Sequence, residues 1–285
     1  MIIKMILIFC ILSSVWITAD SKKYLKDFKY NRYSQFGEDG IIEKIFELIG
    51  AESKLCVEFG AWDGLACSNT ALLWRHKKWK AILIEADKIR CAQLLKNIFS
   101  YNCIAVCKTV GIEDDNSIDA ILTSLNINDP IDLMSIDIDG NDYYIFESLN
   151  LYRPRVIICE RNPTIPIHLD IYQDYGGYFG CSVGALIRIG NNKDYTLIAL
   201  TEANAFFVDN QLLHYFNDFE LTIDRMDANK IVNYLAYSYD GRPVILSESS
   251  ESLFVYGLNK KGFLGKLNNK YGVYRQIKNL ILTPV

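Results

Sequence analysis

Residues 55–68 read LCVEFGAWDGLACS, and this stretch decides the fold class of the chain. An apolar run with one acid, Glu58, leads into two glycines, Gly60 and Gly64, with Ala61 between them. Glycines at such a point let the backbone turn sharply from a buried strand into a helix and approach a ligand closely. The stretch therefore predicts a strand, a turn and a helix, in which the turn either binds a small molecule or is only a tight turn.

A second acidic residue, Glu85, closes the next apolar run, AILIEAD, and Ala86 follows it. Glu85 comes 21 residues after Gly64 (85 − 64 = 21). Nucleotide-binding α/β folds place a carboxylate on the ribose hydroxyls at about this distance from the glycine turn. We therefore predict a small-molecule site at the carboxyl edge of a parallel sheet, with Glu58 and Glu85 both facing the ligand.

The bulk composition is that of a globular chain with a large core. The chain has 285 residues, of which 50% are hydrophobic and 22% are charged. This length is at the upper end for one domain. The net charge is −4, whereas nucleic-acid binding calls for a basic surface, so the charge balance argues against a nucleic-acid partner.

Residues 1–19 form a separate N-terminal segment. Lys4 precedes a nearly unbroken apolar run, Met5–Ile17, and the small residue Ala19 follows it. This order is typical of a secretory signal cleaved after Ala19, which predicts a protein of the secretory pathway. The alternatives are a short membrane anchor through residues 2–19 and an ordinary buried helix. If the segment is an anchor, the lysines that follow it would keep the domain cytoplasmic, because positive flanks stay on that side.

The rest of the chain alternates short β-rich runs with helical ones, which predicts an α/β fold with a parallel sheet covered by helices on both faces. We expect one domain over residues 20–210. A C-terminal extension over 211–285 would pack on the domain or trail it, with a helix at Ala228–Ser238. The predicted strands are Leu55–Phe59, Ala81–Glu85, Cys103–Val106, Asp132–Ile136, Arg155–Cys159 and, as an antiparallel edge hairpin, Tyr195–Leu200 and Ala205–Asp209.

Two ligands of such folds differ in the charge that they bring to the turn. A dinucleotide site uses G-x-G-x-x-G, so that the pyrophosphate rests on a helix N-terminus. Here the sequence is EFGAWDG, which lacks the second glycine and has Glu58 where a pyrophosphate would be repelled. S-adenosylmethionine has no phosphate and carries a sulfonium and an ammonium, which suit a carboxylate. The pattern therefore favours this methyl donor over NAD.

Three segments, taken in order, resemble FkbM-type S-adenosylmethionine-dependent methyltransferases: EFGAWDGLACSN, LIEAD and PIDLMSIDIDGNDYYIFESL. SQFGED, ICERNP and GYFGCSVGALIRIG followed by NAFFV look like a poorly characterised branch of these proteins, so the resemblance covers about residues 33–209. It implies a Rossmann-like class I methyltransferase fold, mostly parallel with an antiparallel last strand. It also implies, in many members, O-methylation of sugars or other hydroxylated compounds. Asp139 replaces the usual Glu and Ser135 the usual Lys, which leaves the acceptor and catalysis open.

Three acids, Asp137, Asp139 and Asp142, follow the fourth predicted strand, where the methyl group and the acceptor would meet. They repel one another unless a cation is present, which would be the sulfonium, a lysine or a divalent metal such as Mg²⁺. Asp142 would alternatively cap the next helix. An acceptor hydroxyl must lose its proton as it attacks. Asp139 is the first candidate for the catalytic base and Glu160, which ends the neighbouring strand, is the second, with Asp137 beside them.

Tyr172, Tyr175 and Tyr178, together with Gly176 and Gly177, predict a flexible aromatic loop. Such a loop suits stacking on the face of a sugar, although a surface loop with chance tyrosines has the same pattern.

The seven cysteines after residue 19 do not settle the compartment, because no spacing indicates a zinc site or a disulfide framework. The cysteines expected in apolar strands as small buried residues are Cys56, Cys107 and Cys159. Those that could pair are Cys67, Cys91, Cys103 and Cys181.

The sequence thus predicts a methyltransferase that uses S-adenosylmethionine and methylates a hydroxyl of a small molecule or a glycan. The main alternative is a non-catalytic module of the same fold that binds its ligand in the secretory pathway or at the membrane. A secretory signal favours that alternative, because the donor is made in the cytosol. A dehydrogenase is a weaker third option, and the sequence leaves the oligomeric state open.

Overall fold

The computed structural model describes residues 22–113 and 115–226, together with the backbone of 233–237 and 243–247. The predicted signal or anchor at 1–19 lies outside the described residues and stays a prediction. Among the described residues, no helix combines the length and the apolar character needed to cross a membrane.

Seven strands form the central sheet: β1 (Leu55–Phe59), β2 (Lys80–Ile84), β3 (Cys103–Val106), β4 (Leu133–Ile136), β5 (Val156–Glu160), β6 (Tyr195–Leu200) and β7 (Asn204–Asp209). Their order is β3-β2-β1-β4-β5-β7-β6, and all neighbours are parallel except at β7, which is antiparallel to both β5 and β6. The predicted Rossmann-like class I methyltransferase fold, with its hairpin of β6 and β7, is therefore confirmed.

The helices are α1 (Glu38–Ile49), α2 (Ala71–His76), α3 (Lys88–Ile98), α4 (Ile118–Ser124), α5 (Asp142–Ser148), α6 (Val183–Asn192) and the short α7 (Ile223–Met226). Side chains that accept hydrogen bonds from first-turn amides fix where three of them begin. Asp87 caps α3, Ser117 caps α4 and Ser182 caps α6.

Apolar side chains are buried on both faces of the sheet. Leu55, Val57 and Phe59 of β1 pack with α4, α5 and α6, whereas Cys56 packs on the other face with α1, α2 and α3. This alternation leaves no exposed face on the parallel sheet, as expected for helices that cover both sides. A cleft with polar side chains is therefore expected at the ends of the strands.

The chain that follows β7 begins by packing on the domain. Asn210–Phe216 is a 3₁₀ helix, and the ring of Phe219 lies 6.4 Å from that of Phe28. Lys23 and Phe219 form an isolated β-bridge. The first part of the predicted extension thus contacts the beginning of the domain.

The helix predicted at Ala228–Ser238 is wrong over residues 233–237. This segment is β8 (Asn233–Tyr237), which pairs antiparallel with β9 (Pro243–Ser247). Tyrosines in β8 and the β-branched Val and Ile of β9 favour a ladder over the helix that Leu and Ala alone suggest. The other residues of the predicted helix lie outside the described residues.

Cys91 on α3 forms a disulfide with Cys107, which directly follows β3. The prediction that Cys107 is a buried thiol within a strand is wrong, because β3 ends one residue earlier, at Val106. The cross-link joins the first half of α3 to the end of β3. The free cysteines of the described residues are Cys56, Cys67, Cys103, Cys159 and Cys181.

Asp132 ties three segments together just before β4. Its carboxylate is fully buried and lies 2.7 Å from Nη1 of Arg155. It also accepts hydrogen bonds from the backbone amides of Glu52, Ser53 and Lys54. A buried charge is stable only with such partners, so this carboxylate holds the loop before β1 against β4 and β5.

We expect Asp132→Ala to lower the free energy of unfolding by about 3–5 kcal/mol, because it leaves a largely buried guanidinium and three amides without their acceptor. Asp129→Asn is the matched control, since Asp129 is an exposed acid 3.8 Å from Lys80. Its effect should stay within about 0.5 kcal/mol. Denaturant titration of both variants measures the free energy of unfolding. Equal decreases in the two variants would show that the buried network of Asp132 stabilises the fold no more than a surface ion pair does.

Candidate active site

A cleft of about 400 Å³ opens at the carboxyl edge of the sheet, around the ends of β1, β2, β4 and β5. β1 and β4 are neighbours in the sheet although two strands separate them in the chain. Open α/β sheets bind ligands at such a change in strand order, and the volume is typical of a small-molecule site. The predicted residues that line the cleft are Glu58, Gly60, Ala61, Glu85, Ala86, Asp137, Asp139 and Glu160.

Gly60 makes the turn out of β1 with φ at +64°. A Cβ at this position would lie 1.8 Å from the backbone oxygen of Asp137, so only glycine fits. Gly64 also has a positive φ, but a Cβ there would meet Cδ1 of Leu94 on α3 at 2.7 Å. Of the two glycines predicted to bind the donor, Gly60 lines the cleft and Gly64 allows α3 to pack closely.

Glu58 holds the loop that follows the turn. It is 4% exposed and accepts hydrogen bonds from Ser68 Oγ at 2.7 Å, from the amide of Asn69 at 2.7 Å and from Thr70 Oγ1 at 2.6 Å. Burial raises the pKa of Glu58, although these donors oppose the shift. The carboxylate thus has a structural role in the wall of the cleft. Its predicted contact with an ammonium of the donor stays a prediction.

Glu85 follows β2, and its carboxylate spans the turn after β1. It accepts hydrogen bonds from the amides of Trp62 at 2.8 Å and Asp87 at 2.7 Å. A carboxylate offers about four acceptor positions, so two remain for ligand hydroxyls. The half-exposed ring of Trp62 lies beside it, with the guanidinium of Arg90 stacked 3.7 Å above that ring. All three side chains line the cleft.

Asp142, the first residue of α5, shapes the loop after β4. Its carboxylate accepts hydrogen bonds from the amides of Ile138 and Gly140, both at 2.8 Å. Between them Asp139 has a left-handed backbone with φ at +57°, a conformation that is uncommon for residues other than glycine and recurs at functional sites. Asp142 was predicted as a metal ligand or a helix cap. Its carboxylate holds this loop, and its predicted role as a metal ligand stays a prediction.

Asp137, Asp139 and Glu160 form an acid group in the cleft, with one oxygen of each within 4.8 Å of the others. The carboxyl groups of Asp137 and Glu160 share a hydrogen bond. Burial, followed by the charge of neighbouring acids, raises the pKa of Asp137 to about 8 and that of Glu160 further still. The pair therefore retains a proton at neutral pH. The three residues predicted as catalytic do lie together.

Asn204 also lines the cleft, and sequence reasoning did not single it out. It begins β7 and is the cross-strand partner of Glu160. Its Nδ2 donates to Oε1 of Glu38, a fully buried acid at the start of α1 that also accepts from Thr201 Oγ1 at 2.6 Å. Asn204 is the first residue of the segment NAFFV, but its place beside Glu160 follows only from the antiparallel register of β7.

The loop 172–180 is anchored over the ends of β4 and β5. The side chain of Gln173 donates to Asn141 Oδ1 at 3.1 Å, next to the acid-bearing turn. Asn162, which follows β5, donates from Nδ2 to the carbonyl of Phe179 at 2.9 Å. The loop predicted to be flexible therefore has fixed attachments beside the cleft.

The tyrosines of this loop have different surroundings. Tyr172 stacks on Tyr143 with the ring centroids 4.0 Å apart, and Tyr175 meets Tyr144 edge-on at 5.3 Å. Tyr178, by contrast, is 87% exposed. Only this ring presents most of its surface to solvent for stacking on a ligand.

Comparisons with known proteins give likeness of fold only. No family model matches the chain, and no curated protein matches it either. A methyltransferase of Clostridium acetobutylicum that depends on S-adenosylmethionine is 13% identical, with a TM-score of 0.40, over 70% of this chain and 97% of the other. A methyltransferase of the same dependence from Aquifex aeolicus is 12% identical, with a TM-score of 0.36, over 64% of this chain and 94% of the other. A TehB-like one from Corynebacterium glutamicum is 9% identical, with a TM-score of 0.36, over 61% and 88%.

We expect the metal-free protein to lose stability as the pH rises from about 4 to about 8. The unfolded carboxyl groups have pKa values near 4, whereas those of Asp137 and Glu160 are raised in the folded state. The folded state then holds protons that the unfolded state has released, and stability falls with rising pH.

Thermal melting in EDTA at several pH values measures this slope. The double variant Asp137→Asn/Glu160→Gln lacks the titrating pair, so its melting temperature should fall less over the same range. Parallel slopes for the variant and the wild type would contradict the assignment.

Proposed function

We propose that this protein is an S-adenosylmethionine-dependent methyltransferase that transfers the methyl group to a hydroxyl of a sugar, a glycan or another hydroxylated small molecule. The observation that carries the proposal is that one cleft contains the glycine turn after β1, the carboxylate after β2 and the acid group at the ends of β4 and β5. These features lie where the strand order changes, which is where such folds bind their ligands.

The charge of the cleft supports a cationic donor. Five acidic side chains line it, against two basic ones, Arg90 and Lys108. A sulfonium and an ammonium are stabilised in such surroundings, whereas the pyrophosphate of NAD would meet carboxylates. The dinucleotide motif also needs a glycine two residues after Gly60, where this chain has Trp62. The dehydrogenase alternative is thus disfavoured on two grounds.

The residues present fit the parts of this donor. Glu85 has acceptor capacity left for the ribose hydroxyls. Gly60 and Ala61 offer a backbone without bulky side chains, and Ala86 lines the cleft next to Glu85. When bound, S-adenosylmethionine supplies an electrophilic methyl carbon.

The acid group supports the removal of a proton from the acceptor. As the acceptor oxygen forms its bond to the methyl carbon, the carbon–sulfur bond breaks and the hydroxyl proton must leave. Asp139 is exposed and belongs to the acid group, so it is the proposed base. Glu160 is the second candidate, once its shared proton has moved. A divalent metal such as Mg²⁺ held by these acids is the alternative means of lowering the hydroxyl pKa.

The anchored loop beside the acid group supports a sugar as the acceptor. Tyr178 offers an exposed ring on the loop that is attached to Asn141 and Asn162, and aromatic rings stack on the apolar faces of sugars. Loops held by a rigid scaffold commonly carry binding residues.

The rival proposal is a non-catalytic module that keeps the fold and binds a ligand in the secretory pathway. The disulfide between Cys91 and Cys107 supports an oxidising compartment, as does the predicted signal at residues 1–19. A domain held in the cytoplasm by an anchor through residues 2–19 would instead have direct access to the donor. Activity measurements separate the two functions.

We expect the purified full-length chain to bind S-adenosylmethionine in calorimetry and to bind NAD at least about 10-fold more weakly. Glu85→Gln should lower the affinity for the methyl donor by about 10-fold or more, because hydrogen bonds to a charged group contribute about 1.5–3 kcal/mol. Glu47→Gln is the control, since Glu47 is an exposed acid on α1. Failure of the wild type to bind the donor, or tighter binding of NAD, would overturn the proposal.

We expect release of S-adenosylhomocysteine when the chain is given the donor and a panel of sugars and glycans. Asp139→Asn should lower kcat by about 100-fold, the usual contribution of a positioned base, while the affinity for the donor stays unchanged. Asparagine tolerates the left-handed backbone of this position, so the fold is kept. Donor binding without product for any acceptor would favour the non-catalytic module.

A further inference from the structure

We infer that Asp137, Asp139, Glu160 and Asn204 form a binding site for a hard divalent cation at the ends of β4, β5 and β7. The site deepens the proposed function, because a cation there would lie beside the proposed base. Its existence can nevertheless be tested without donor or acceptor.

The acid group supplies three ligand atoms that are already close together. One carboxylate oxygen from each of Asp137, Asp139 and Glu160 lies within 4.8 Å of the other two. Asp139 is exposed, and the other two are partly buried, so an ion can enter from the cleft. The carboxyl groups of Asp137 and Glu160 are hydrogen-bonded to each other, so a bound cation would take the place of the proton that they share.

Asn204 gives the second, independent observation. Its side chain is 4% exposed, and Oδ1 is buried without a hydrogen-bond partner among the described residues. The bond from Nδ2 to Glu38 fixes which end of the amide is the oxygen. Buried amide oxygens are rarely left without a partner, so this oxygen at the wall of the cleft is free to accept a cation or a water molecule.

The register of the sheet places this oxygen with the acids. Asn204 and Glu160 are direct cross-strand partners in the antiparallel ladder of β5 and β7. Partners of this kind point to the same face, with their Cβ atoms about 5 Å apart. Both residues also line the same cleft. The four candidate ligands therefore come from three neighbouring strand ends.

The chemistry of the four ligand atoms determines which class of cation would bind. All four ligands are oxygens, three from carboxyl groups and one from an amide. Mg²⁺, Mn²⁺ and Ca²⁺ prefer such ligands, whereas softer ions prefer nitrogen or sulfur. Asp142, one of the three metal ligands that the sequence suggested, is not one of the three acids whose oxygens lie within 4.8 Å of one another, and its carboxylate accepts from the amides of Ile138 and Gly140.

The test is a titration of the purified full-length chain with Mn²⁺, in the absence of methyl donor and acceptor. The concentration of unbound Mn²⁺ is measured by electron paramagnetic resonance. We expect one site, from which Mg²⁺ displaces the probe. Asp139→Asn and Asn204→Ala should each weaken binding by about 10-fold or more. Asp174→Asn is the control for general attraction, because Asp174 is an exposed acid on the neighbouring loop. It should leave the affinity unchanged.

Lack of a Mn²⁺ site in the wild type would overturn the inference, and so would a site that neither variant weakens. Circular dichroism checks that both variants are folded. If Asn204→Ala does not fold, the test rests on Asp139→Asn, which changes an exposed position. Calorimetry with S-adenosylmethionine on the same samples separates the outcomes: donor binding without Mn²⁺ binding rejects only the metal site, and the reverse rejects only the proposed function.

Discussion

The close approach of the turn after β1 to the end of β4 is the constraint on which the site depends. The backbone at Gly60 passes so near the carbonyl oxygen of Asp137 that even a methyl group would not fit. The register of β1 and β4 brings the two loops to the same edge. As a result, the turn suited to a nucleoside and the acids suited to a reacting hydroxyl belong to one cleft. The backbone, more than any side chain, sets this arrangement.

The carboxylates around the cleft divide into two kinds according to their partners. Glu58 and Asp142 are surrounded by amide and hydroxyl donors and hold loops in place. Asp137 and Glu160 instead face each other, and Asp139 faces the open cleft. Carboxylates with a full set of donors are stable without a ligand, whereas opposed ones need a proton or a cation. This difference in surroundings separates structural acids from candidate reactive ones.

The alternation of strands and helices, and the acids at the strand ends, could be predicted because both follow from local sequence. Parallel strands share a carboxyl edge, so Glu58, Glu85 and Asp137 had to lie near one another. The role of Asp142 could not be predicted, since it depends on where the amides of a three-residue loop point. Asn204 was missed because its position beside Glu160 depends on the register of an antiparallel strand. The segment 233–237 was misassigned because its pairing partner lies farther along the chain.

The cross-link between Cys91 and Cys107 connects the cleft to the redox state of its surroundings. The residues next to these cysteines, Arg90 and Lys108, both line the cleft at the end where β2 and β3 stop. Closing a loop of this length contributes about 3 kcal/mol by chain entropy. Protein made in a reducing host would lack that contribution at the rim of its own binding site. Recombinant material from a bacterial cytosol and from an oxidising lumen would then differ in how firmly this rim is held, although the amino-acid sequence is the same.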